Sequence, residues 1–133
     1  MDRQMQERLQ VYEREALASP KIVKFVHAVL LWLEQVSQHE CTEETAGPLA
    51  SHLMLALARV ERGEQLGNTW SQEVHDEAMT LTSLLPWVEQ IRYKARHQLA
   101  LTLPSEEIDF LLLHLGTFLL GYNDDRRVPL VQD

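Results

Sequence analysis

Two histidines stand inside the most apolar stretches of this chain. His52 opens "HLMLALARV" (52–60) and His114 interrupts "IDFLLLHLGTFLL" (108–120). Leucine would be simpler to bury at either place, because an imidazole brings two nitrogens that need partners. A neutral imidazole is also a good nucleophile near neutral pH and can take a phosphoryl group directly. Such a group adds about two negative charges, and an apolar interface must repack around them. The alternative is a pair of core histidines kept for their hydrogen bonds.

Each histidine has a charged residue seven positions away: Arg59 follows His52, and Glu107 precedes His114. At that spacing the members of each pair share one helix face, about two turns apart. If the two apolar helices pack antiparallel, aligning His52 with His114 also aligns Arg59 with Glu107. The expectation is a two-histidine site flanked by a buried ion pair, since a buried arginine needs a carboxylate.

These residues need helices to carry them. The five glycines and five prolines sit at boundaries, and no stretch sustains strand alternation between turns. Ser19-Pro20 reads as an N-cap followed by proline at the first helical position, and "TAGPLASH" repeats that signal near Pro48. "TWSQ" (69–72) matches a capping box. Pro86 starts or kinks another helix, and Pro104 opens the last, with Glu106 and Glu107 in its first turn. The prediction is all-α, a compact bundle of about five helices plus an N-terminal helix, over 3–18, 21–38, 48–63, 71–84, 86–99 and 104–121. The two histidine-bearing helices are apolar almost all round and belong at the centre. The helix at 21–38 carries a one-sided stripe of Ile22, Phe25, Val29, Leu33 and Val36. Residues 1–19 form an N-terminal helix with Met5, Leu9, Tyr12 and Ala16 on one face, packed on a neighbour or on a second subunit. Residues 20–122 form the bundle, and 123–133 a polar tail.

Composition narrows the function classes. At 133 residues the chain makes one domain with a real core. A formal net charge of −8 without a Lys/Arg cluster argues against direct nucleic-acid binding. One cysteine, Cys41, forms no internal disulfide and fits a reducing compartment. The N-terminus "MDRQMQERLQ" has no apolar signal core, and no apolar run reaches membrane length. The expected location is the cytoplasm.

Glycine-rich phosphate loops, nucleophile elbows and paired catalytic carboxylates are missing from the sequence, so no enzyme and no cofactor are expected. "HEC" (39–41) has poor ligand spacing, so no metal site is expected there. His27 reads as packing or boundary, and His75 and His97 as surface positions. Trp32, Trp70 and Trp87 read as core or interface anchors.

Taken together, "SHLMLALARVERGEQLGN" (51–68) and "LPSEEIDFLLLHLG" (103–116) resemble the PTS regulation domain (PRD) of bacterial antiterminators and activators of sugar uptake. The first motif is carried by His52, Arg59, Gly63 and Asn68. The second is carried by Leu103, Pro104, Glu106, Glu107, Ile108 and His114. The resemblance covers about residues 20 to 122; the family's usual Asn-Pro is Asn68-Thr69 here. It implies a PRD-like bundle that often forms a homodimer. It also implies that His52 and His114 accept phosphate from HPr or an EIIB component, with Arg59, Glu107 and Asn68 shaping the site. The function so implied is a regulatory module of sugar phosphotransferase-linked transcription control. The other class of reading is a helical dimer that binds a protein partner without being phosphorylated.

Overall fold

A computed structural model of the chain describes residues 1–64 and 70–127. Its order is α1 (Arg3–Arg14), α2 (Pro20–Ser37), α3 (Glu43–Glu61), α4 (Gln72–Ala78), a 3-10 segment (Met79–Leu84), α5 (Leu85–Leu99), α6 (Glu106–Leu120) and a short 3-10 turn (Asp125–Arg127). The protein is all-α, and among the described residues there is no strand. None of the helices there is long and apolar enough to cross a membrane.

The caps explain the starts. The Ser19 side chain accepts from the Ile22 amide, with Pro20 in the first helical position. Ser71 caps α4 through the Val74 amide. The start of α3 lies upstream of the expected position. Thr42 and Thr45 form a reciprocal capping box there, with Glu43 and Glu44 in the first turn. Pro48 therefore sits inside α3 rather than at its head. It is exposed, and the Glu44 carbonyl that loses its amide partner lies on an exposed residue, so the helix tolerates it.

Two further boundaries differ from the expectation. α1 stops at Arg14 because Ala16 turns left-handed (φ 56) and the Leu17 amide bonds back to the Tyr12 carbonyl at 2.9 Å. Ala16 is thus outside the helix and exposed, while Met5 and Leu9 are buried in the chain's own core. The expected helix 71–84 breaks after Ala78, and Leu81 is non-helical (φ −116, ψ 22). There the Thr80 hydroxyl donates to the Glu77 carbonyl at 2.7 Å, which competes with the helical ladder. Leu81 presses on α6, its Cδ1 2.8 Å from where a Cβ on residue 116 would lie, so position 116 takes glycine.

α6 is the central element, packed by α3, α4, α5 and both 3-10 segments. Leu111, Leu112, Leu115, Phe118 and Leu119 of α6 are fully buried, as are Ala50, Met54 and Leu57 of α3. The two helices run antiparallel: Gly121, just past α6, lies against the Thr45 methyl, and His52 further along α3 meets Glu107, Phe110 and His114. Beyond α6, the Arg126 guanidinium donates to the Val36 and Ser37 carbonyls at the end of α2, and the Ser83 hydroxyl donates to the Arg126 carbonyl. Residues 128–133 of the expected tail lie outside the described residues.

One carboxylate ties two helix starts together. Asp2 accepts from the Met5 amide at 2.9 Å, capping α1, and from the Glu43 amide at 3.2 and 3.3 Å, the first residue of α3. Asp2→Ala removes both sets of bonds and should lower the unfolding free energy by about 1–2 kcal/mol. Urea denaturation checks this. A midpoint unchanged from wild type would mean that the shared cap does not hold α1 on α3.

Candidate functional site

His52 projects from the edge of α3 that meets α6. Its imidazole lies between Glu107 and His114, which share a face of α6 about two turns apart. His52 Nε2 is 2.5 Å from Glu107 Oε2. The ring centroids of His52 and His114 are 4.9 Å apart at an interplanar angle of 39°, and Phe110 lies 5.5 Å from His52 on another side. The two histidines predicted to meet do meet, with Glu107 beside them.

The expected Arg59–Glu107 pair is not formed. Arg59 is exposed, and Glu107, 4% exposed, spends its carboxylate on His52. Two turns separate the groups on each helix, but the His52 ring reaches along the seam to the acid and satisfies it first. Arg59 acts instead near Glu64, whose carboxyl is held low chiefly by a hydrogen bond from Arg62 and to a lesser extent by Arg59. Asn68 lies outside the described residues.

The two histidines differ in environment. Burial pushes His114 down to about 4, His52 pushes it the same way, and Glu107 only partly opposes them. His114 is therefore neutral at pH 7. Among the described residues neither of its ring nitrogens has a hydrogen-bond partner, yet neither counts as a sealed, unpaired polar atom. Both keep an opening to solvent. His52 is likewise half-exposed, with Nε2 on Glu107 and Nδ1 unpaired but not sealed. No lysine or arginine among the described residues bonds to His52, His114 or Glu107. This arrangement offers lone pairs for nucleophilic attack or proton transfer without a built-in cation. Among the described residues no group of three His, Cys, Asp or Glu is placed to hold a metal ion.

A second buried acid lies on the other side of α6. Asp109 Oδ2 accepts from Trp70 Nε1 at 2.8 Å and meets His75 Nδ1 at 2.9 Å, fastening the start of α4 to α6. Sequence reasoning missed Asp109; His75, read as a surface position, has a 39% exposed side chain and still reaches that acid. The signal was present, since Asp109 interrupts the same apolar run as His114. The other histidines stand apart: His39 stacks on Tyr122 and meets Asp124 at 2.8 Å, His97 packs on Tyr93, and His27 is exposed. Cys41 is buried with its thiol pushed up to about 12 by desolvation, which makes it unreactive.

No family model, no curated protein and no solved structure matches this chain.

Two predictions come from this geometry. In double-mutant cycles, His52→Ala with Glu107→Leu should show a coupling of about 0.5–3 kcal/mol, and Arg59→Met with Glu107→Leu should be additive within about 0.5 kcal/mol. Coupling in the second cycle but not the first would reverse the assignment. The other concerns pH. The folded value of His114 lies below its ordinary 6.5, so between 6.5 and about 4 the unfolded chain binds the extra proton. Stability must then fall as pH falls through that window, by roughly 2–3 kcal/mol from this group. His114→Leu should remove that part of the slope and keep or raise the melting temperature at pH 7. An unchanged slope in the variant would show that His114 is not desolvated.

Proposed function

We propose that this chain is a regulatory module of bacterial sugar phosphotransferase-linked transcription control, switched by phosphorylation of His52 and His114. The supporting observation is the His52–His114 pair in the α3–α6 seam. The two rings are 4.9 Å apart, part-open to solvent, and His114 makes no hydrogen bond among the described residues that would explain its burial as a packing choice. The donors in this reading are HPr, an EIIB component, or both. The protein is cytoplasmic, works as no enzyme, needs no cofactor and touches nucleic acid only through partners.

The switch in this reading is electrostatic. A phosphoryl group on either ring sets about two negative charges beside the buried Glu107 carboxylate, to which no lysine or arginine among the described residues is paired. The seam must then open, or a partner must bring the cation. A homodimer belongs to the same proposal; Met5 and Leu9 of α1 are used within the chain, while Val11 on that helix stays 37% exposed. Leu55 on α3, 37% exposed, and Leu120 on α6, 53% exposed, are the apolar residues left open on the two histidine-bearing helices.

Wild type, His52→Ala and His114→Ala should be incubated with phosphoenolpyruvate, the upstream kinase and HPr, or with a charged EIIB, and read by intact mass under alkaline conditions. The expected outcome is acid-labile phosphate on wild type and loss of the matching phosphorylated site in each variant. Wild type that takes up no phosphate from any donor would overturn the switch and leave a helical interaction module.

A further inference from the structure

The seam distinguishes the two nitrogens of His52, and that distinction assigns the reacting atom. We infer that the phosphoryl acceptor on His52 is Nδ1, with Glu107 as the positioning residue that holds Nε2. This rests on the reading of His52 as a phosphoryl acceptor and adds the atom and the group that supports it.

Nε2 is engaged. Its contact with Glu107 Oε2 is 2.5 Å, and Glu107 is 4% exposed, so the carboxylate has no alternative partner in water. A carboxylate is an acceptor only, so the bond requires the proton on Nε2. That leaves the lone pair of the neutral ring on Nδ1. Nδ1 has no partner among the described residues and is not sealed from solvent, so an incoming phosphorus can reach it.

The chemistry balances on these groups. The Nδ1 lone pair attacks phosphorus on the donor's phosphohistidine or phosphocysteine. An Nδ1–P bond forms while the donor's P–N or P–S bond breaks, and its electron pair returns to the donor's nitrogen or sulfur. Nothing is oxidised or reduced. The His52 ring gains positive charge while Nε2 keeps its proton, and the Glu107 carboxylate faces that charge in a site of low solvent access. This is the way an acid that orients a histidine stabilises the imidazolium formed in general-base catalysis. Among the described residues His114 has no such carboxylate bond, so Glu107 assists one histidine of the pair and not the other.

The test labels histidine nitrogens in the full chain and phosphorylates it in parallel with charged HPr and with potassium phosphoramidate, which needs no protein partner. Phosphorus-coupled nitrogen NMR then identifies the modified atom. The expected result is phosphorus on Nδ1 of His52 with both donors. Glu107→Gln should slow its formation by at least about tenfold, and Glu107→Asp should recover part of the rate. Phosphorus on Nε2 of His52, or Glu107→Gln modified at the wild-type rate, would overturn the assignment while leaving His52 an acceptor. No phosphorus on His52 from either reagent would overturn the underlying reading and this assignment with it. Should Glu107→Gln fail to fold, the regiochemistry of the wild-type product still decides.

Discussion

A carboxylate removed from water must have a donor, and Glu107 has one in His52. That requirement organises the seam between α3 and α6. Leaving a buried acid unpaired costs several kcal/mol, more than any single apolar contact in the seam contributes. The ring of His52 must therefore lie against the start of α6 rather than turn outward. Its position brings it against His114, and the pairing leaves Arg59 free to point to solvent. That one short contact fixes where the His52 ring lies in the seam.

Asp109 applies the same constraint on the opposite side. Residues 107 and 109 face about 200° apart on a helix, so the first turn of α6 reaches α3 with one acid and α4 with the other. Trp70 and His75 supply the donors on the second side. A single turn of backbone thus anchors two neighbouring helices through buried charge. Further along α6, Leu111, Leu112, Leu115, Phe118 and Leu119 continue the anchoring by apolar burial.

Much of this was legible in the sequence, for definite reasons. The all-α fold, the two central helices and the meeting of His52 with His114 follow from apolar periodicity and a shared seven-residue spacing. The Arg59–Glu107 pair did not follow, because spacing places Cβ atoms on a face and does not say which long side chain wins a shared acid. Reading Pro48 as a helix start failed because the capping box lay six residues upstream in Thr42 and Thr45, with threonine in the place where glutamate is the usual cue. The early end of α1 was hidden because its left-handed closing residue is Ala16, not glycine. Asp109 was overlooked although it breaks the apolar run as His114 does.

The central claim is that Glu107 holds the proton of His52 on Nε2 and leaves Nδ1 as the open lone pair. Nitrogen NMR of histidine-labelled, unmodified protein on the basic side of neutrality reads this directly, since protonated and unprotonated ring nitrogens resonate far apart. The account predicts a single tautomer for His52, with Nε2 protonated and Nδ1 bare. A His52 ring protonated on Nδ1, or averaged between the two forms as in free histidine, would contradict it.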